Sequence, residues 1–312
     1  MTYLSTYLPE NYSPEMDCTE YFCQALKETK GILHITPGVY LVNDIEIPDD
    51  TILEGEGNTT VIKSAGSNTI FRLKGKKGWS IRNLKIEGTI ADKSPENSGF
   101  KAISIESCWS FDIARVSICN CDGIGIDILE TPLTKEKAAY CDGGNLSQIT
   151  LKNNFTGIRF DQHAEYINAI QINAYNNVTG CIIHAGNVKI ANSNFCNNYN
   201  GMLIKDKPNG SHGSISNCLF NHNENCALKA VDIRYGMAIS GCCFYYGKIE
   251  FDNCRGVNIS NGQISCDIAI TGNAKNQIIN NYIIPENWNF KIAEPTLLSG
   301  NFTDNDTWQP NI

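Results

Sequence analysis

The chain has 312 residues, is 42% hydrophobic and carries a formal net charge of −8. That apolar content excludes wholesale disorder, and the acidic balance argues against a nucleic-acid partner, because phosphate recognition needs clustered Lys and Arg. No apolar run approaches the roughly 18 residues of a membrane span, so no membrane insertion is expected.

The opening residues Met1-Thr2-Tyr3-Leu4-Ser5-Thr6-Tyr7 have neither a basic nor an apolar region and do not read as a secretory signal. Asp17-Cys18-Thr19-Glu20 reads as a capping box. Apolar residues come at Cys18, Tyr21, Phe22, Ala25 and Leu26, and Gly31 ends the pattern. Residues 1–31 are therefore expected to form an N-terminal segment with an amphipathic helix that caps the domain starting at residue 32. The one noticeable basic cluster, Lys74-Gly75-Lys76-Lys77, reads as a solvated turn.

From residue 32 to 284 the chain is repetitive. The pattern Ile-x-Asn-x-x-Phe/Ile begins at Ile81, Ile190, Ile215, Ile259 and Ile278, with degenerate copies at Ile113 and Ile239, where Arg115 and Gly241 replace the Asn. Starts at 190, 215, 239, 259 and 278 are 25, 24, 20 and 19 residues apart. A second alternating segment recurs at Gly125-Ile126, Gly157-Ile158, Gly180-Cys181 and Gly201-Met202, separated from the first by Asn, Gly and Ser clusters. Short strands joined by tight turns at a period of 20 to 25 residues describe an all-β solenoid, a single-stranded parallel β-helix. Equivalent residues of successive coils then stack about 4.8 Å apart, and the recurrent Asn reads as an Asn ladder.

The 14 Cys include no Cys-x-x-Cys motif. They are expected to be reduced, mostly buried thiols acting as small apolar residues. Cys218 and Cys242 share one interior column with Ser193 and Gly262; a metal reading of Cys242-Cys243 with Cys218 and Cys226 lacks a His at ligand spacing. No metal and no cofactor are expected. From about Pro285 to residue 312 the repeats fade into a polar tail with Trp288, Phe290 and Trp308, a C-terminal cap or subunit contact.

Asp17-x-Thr19, Ile35-Thr36-Pro37-Gly38-Val39-Tyr40-Leu41-Val42, Ile45-Glu46-Ile47-Pro48 and Leu53-Glu54-Gly55-Glu56-Gly57 together resemble the start of the pectate-lyase-superfamily β-helix domain of bacteriophage tail spikes. Further on, "GNVKIANSNF" and "HGSISNCLFNHN" resemble central coils of phage tail and appendage proteins. The resemblance implies a right-handed helix, a homotrimer, and binding or depolymerisation of a bacterial surface glycan. It also implies a virion component made in a host cytoplasm, with other tail proteins as partners.

Glycan hydrolysis generally needs two carboxylates about 5 to 9.5 Å apart, which adjacent coils can supply. Aligned Gly-Ile segments give two outward columns: Asp127, Arg159, Ile182, Leu203, Lys229 and Glu250, and then Leu129, Asp161, His184, Lys205, Val231 and Asp252. Asp161, His184 and Lys205 fall on successive rungs of one exposed face, an acid, base and cation cluster, and Glu165, in the turn that follows, joins Asp161 and His184 as a catalytic candidate. Arg159, Lys205 and His163 are substrate-binding candidates beside them. The insertion Thr131–Asn145 brings Tyr140 and Asp142 to that face, where Tyr140 and Tyr166 are available to stack on sugar rings.

Ser211-His212-Gly213 resembles the Gly-His-Gly signature of polygalacturonases, but the preceding coil, Asn192-Ser193-Asn194-Phe195, has no carboxylate and no Arg-Ile-Lys follows. The Arg-x-Pro-x-x-Arg of pectate lyases is absent from the sequence. Alternatives to a depolymerising spike are a non-catalytic receptor-binding spike and a bacterial carbohydrate-active lyase or hydrolase. Ile182 and Leu203 in an outward column favour oligomer contacts.

Overall fold

Inward and outward residues alternate along short strands, and tight corners return the chain to begin each new coil alongside the last. The computed structural model describes residues 2–66, 69–88, 99–130, 140–205, 211–272, 275–284 and 288–304. Residues 131–139 of the expected insertion, Pro285 and Trp308 lie outside these. The chain forms two compact units, Met1–Arg159 and Phe160–Ile312, each a stack of parallel coils of a right-handed β-helix.

In the first unit the helix Thr19–Glu28 buries Phe22, Ala25 and Leu26. Asp17 Oδ1 accepts the Thr19 backbone N–H at 2.9 Å. Helix and first strands are stitched together: Cys18 N–H donates to Leu41 O at 2.9 Å, and Asn43 N–H donates to Thr19 Oγ1 at 3.0 Å. The coils stack in register, so that Leu33, Leu53, Ile81, Ile113 and Leu146 form one inward column. Each of these is at most 1% exposed.

The second unit repeats the scheme with three strands per coil, for example Val188–Ala191, Asn194–Cys196 and Asn200–Lys205. Ile190, Ile215, Ile239, Ile259 and Ile278 are successive partners, confirming the period read from sequence. Beside them Phe195, Phe220 and Phe244 stack, with ring centroids 5.4 and 4.9 Å apart. All three are fully buried, and such pairs add about 0.5–1.5 kcal/mol beyond their burial.

The recurrent Asn has a different job from the ladder its recurrence suggests. Asn192, Asn217, Asn261 and Asn280 are exposed corner residues with φ of 51 to 56°, the left-handed region that Asn tolerates better than most residues. Three residues that follow such a corner, Ser193, Cys242 (after Gly241) and Asn281, accept a backbone N–H from the neighbouring coil: Ile172 to Ser193 Oγ at 3.0 Å, Cys218 to Cys242 Sγ at 3.4 Å, Gly262 to Asn281 Oδ1 at 3.0 Å. Buried amide ladders among the described residues include Asn177–Asn198–Asn223, linked at 3.0 and 3.2 Å, and Asn281–Asn301 at 3.1 Å. Here the inward Asn satisfies backbone groups at the turn that no strand partner reaches.

All 14 cysteines are free thiols and most are buried. Burial pushes the thiols of Cys226 and Cys266 up to about 12, so they remain neutral packing groups. Among the described residues no group of three or more His, Cys, Asp or Glu is placed to hold a metal ion.

Candidate functional site

The expected site residues fall in both units. In the first, Asp127 sits in an outward position, one coil beyond Ser104, yet its side chain is fully covered. Two cations hold it there: Lys101 Nζ at 2.6 Å, and Arg159 through Nε at 2.8 Å and Nη2 at 2.9 Å. A buried carboxylate needs such partners, because desolvation penalises the lone charge heavily. Arg159 is therefore committed to Asp127, and Lys101, which carries no sequence motif, is revealed only by the coil register. Tyr140 is 46% exposed. Asp142 is anchored through its backbone, donating to Cys108 O at 2.9 Å and accepting from Ser110 N–H at 3.0 Å.

In the second unit the structure joins two of the candidates. His184 follows the strand Thr179–Ile183, and its backbone N–H is fixed to Phe160 O at 2.8 Å. That bond sets the imidazole beside Asp161, with Nδ1 3.0 Å from Asp161 Oδ1. The same oxygen accepts the Gln162 N–H at 3.1 Å, and Ala164 N–H closes the turn on Asp161 O at 3.2 Å. Both side chains are accessible, His184 at 18% and Asp161 at 16%. Lys205 occupies the equivalent position one coil on, just past Ile204, the partner of Ile183, and is exposed.

Glu165 is placed differently. It is only 8% exposed and accepts Asn187 Nδ2 at 2.7 Å, so it braces the turn. Tyr166 next to it is 60% exposed, and its φ of 53° is unusual for a bulky residue; His163 is half-buried. Ile182 and Leu203 are registered partners, leading to Lys229 and then Glu250 as the column predicts. Lys229 and Lys248 each reach Glu250 at 2.7 Å and hold its carboxyl below the usual carboxylate value.

Ser211-His212-Gly213 is architectural. Ser211 is buried and donates to Lys205 O at 2.7 Å, while the His212 ring lies over Gly186, where an added Cβ would sit 2.4 Å from it. At Gly213, φ is +147° and a Cβ would meet Val188 O at 2.1 Å, so only glycine lets the two coils approach this closely.

No family model matches the sequence, and no curated protein matches it significantly. Solved structures do resemble it. The Azotobacter vinelandii mannuronan C-5 epimerase AlgE4 A-module has a TM-score of 0.66 at 12% identity, covering 96% of this chain and 95% of that one. A tailspike protein, gp49 of Acinetobacter baumannii bacteriophage Fri1, described as a capsular polysaccharide depolymerase, has a TM-score of 0.66 at 13% identity. That match covers 92% of this chain but 55% of the tailspike chain. The catalytic domain of a GH87 alpha-1,3-glucanase has a TM-score of 0.60 at 13% identity, covering 94% of this chain and 68% of that one. At such identities the likeness establishes the fold, a right-handed parallel β-helix.

Proposed function

We propose that the chain is a tail-spike-type β-helix protein that binds a bacterial surface polysaccharide and cleaves it by proton transfer at His184. The observation that carries this reading is the hydrogen bond between His184 Nδ1 and Asp161 Oδ1, formed by accessible side chains on adjacent coils. With Nδ1–H donated to Asp161, the neutral imidazole presents its lone pair at Nε2, the arrangement of a general base whose orientation a carboxylate fixes. Lys205 supplies a cation one coil away, suited to a charge developing on substrate oxygen. Structural likeness to a phage depolymerase, a glucanase and an epimerase of polymeric sugars supports a glycan ligand. A homotrimer carried in the virion with other tail proteins belongs to the same proposal.

One observation favours a non-catalytic, receptor-binding version. Glu165 is buried against Asn187, so the turn does not present the second accessible carboxylate that glycoside hydrolysis uses. The test is incubation with purified bacterial capsule and wall polysaccharides, then size-exclusion chromatography. Ultraviolet absorbance of an unsaturated product separates elimination from hydrolysis. Shortened chains, abolished by Asp161→Asn and by His184→Ala with binding retained, are the expected result. Binding without shortening selects the receptor-binding version, and cleavage unchanged in Asp161→Asn rejects the site.

A further inference from the structure

A second column on the Phe160–Ile312 unit lies outside the Asp161–His184 pair. Tyr175, Cys196, Asn221 and Tyr245 are successive partners. The residues that come next in the chain, Asn176, Asn197, His222 and Tyr246, therefore line one corner of successive coils. All four are exposed, with φ of 57, 54, 50 and 63°. Backbone geometry accounts for the two Asn, which suit the left-handed region. It does not account for Tyr246, because a bulky residue is strained there. Tyr246 keeps its side chain 47% exposed at this corner in spite of that strain, which points to a use for the ring.

The rings form a platform. His222 and Tyr246 have centroids 4.4 Å apart, and Trp288 meets Tyr246 edge-on at 6.1 Å and 81°. Among the described residues the Trp288 indole N–H and Asn221 Oδ1 have no hydrogen-bond partner, but both atoms are covered from solvent, so the ridge presents the Trp288 ring and not its N–H. The two stacked columns and Trp288 contain no Asp, Glu, Lys or Arg, on a chain whose net charge is −8. Aromatic faces pack against the C–H faces of pyranose rings, while amide, phenol and imidazole groups bond hydroxyls. Coils spaced about 4.8 Å apart offer one such side chain for each sugar of a chain lying along the column.

We infer that Asn176, Asn197, His222, Tyr246 and Trp288 form a glycan-binding ridge for uncharged hexose units. This deepens the polysaccharide reading above and rests on it, but it does not depend on cleavage at His184. The experiment is affinity electrophoresis of the full chain in gels cast with dextran, with hydroxyethylcellulose or with polygalacturonate. Tyr246→Asn removes the ring while keeping a residue that suits the corner; Asn217→Gly, at an exposed corner outside both the ridge and the Asp161–His184 pair, is the comparison. The expected result is retardation by a neutral polymer, weakened at least 10-fold in Tyr246→Asn, with circular dichroism unchanged and Asn217→Gly behaving as the parent. Equal retardation of Tyr246→Asn, or retardation by polygalacturonate alone, overturns the ridge and leaves the polysaccharide reading standing. Failure to bind any bacterial surface polysaccharide overturns both. A change in sedimentation of Tyr246→Asn without a change in binding assigns the platform to a second copy of the chain and also overturns the ridge.

Discussion

Replacing Asn198 by Ala separates the buried amide ladder from the recurrent corner Asn. The Asn198 side chain makes four hydrogen bonds: Oδ1 accepts Asn177 N–H and Nδ2, both at 3.0 Å, and Nδ2 donates to Ala174 O at 3.0 Å and Asn223 Oδ1 at 3.2 Å. At about 1 kcal/mol net per bond, with a further 1–3 for the Asn177 N–H left buried and unsatisfied, the loss is roughly 5 to 7 kcal/mol. For a unit of this size that lowers the melting temperature by roughly 10 to 28 °C. Asn198→Ser should lose less, because Ser193 already accepts a backbone N–H from the neighbouring coil. Asn217 sits in the repeated motif but is exposed, with φ of 51°. Asn217→Gly should therefore change stability by less than about 1 kcal/mol, and Asn217→Ala by about 1–2 kcal/mol from left-handed strain. Urea unfolding and scanning calorimetry of the four variants measure the order. If Asn217→Ala is as damaging as Asn198→Ala, the assignment of ladder and corner is wrong.

Asp127→Ala removes the shared partner of Lys101 and Arg159 and should destabilise by about 3–5 kcal/mol. Losing nothing in urea unfolding would show that those cations find solvent without it. Stability should also fall in alkali. Burial raises Cys226 and Cys266 from the usual 9.0 to about 12, so the unfolded chain releases these protons first. Their contribution is complete below 9.0 and is lost progressively as pH rises toward about 12. A melting temperature that stays flat across that window, or an alkaline decline that Cys266→Ala does not reduce, would contradict this.

The repeat was legible because its inward half is constrained. Each coil must present an apolar residue at the same depth, so Ile190, Ile215, Ile239 and Ile259 recur and give the period directly. The ladder was less legible, because the chemistry at each corner is divided between adjacent residues. In Asn197-Asn198 the first residue meets the backbone angle, with φ of 54°, and the second satisfies the buried amides. Identical letters serve both needs, and only coordinates tell them apart. Lys101 carries no sequence signal for a related reason, since its relation to Asp127 runs across a coil and obeys no local spacing.

The outward positions show why function is harder to read than fold in such a chain. Ile183, Ile204, Ala230, Phe251 and Ile270 are successive inward partners, and all are apolar. The next residue in each strand points out, and there the column reads His184, Lys205, Val231, Asp252 and Thr271. Base, cation, apolar group, carboxylate and hydroxyl succeed one another because no packing constraint acts on that face. An outward residue therefore gains meaning only from its neighbour one coil away. Asp161 and His184 can be paired from sequence because the strands preceding them are regular and of equal length. Tyr246 cannot, because the register shifts between Tyr245 and Lys248 and breaks the count. The bulge begins at the corner where Asn176 and Asn197 of earlier coils give way to His222 and Tyr246, so an irregular coil is where this fold can acquire an exposed ring while its core repeat continues undisturbed.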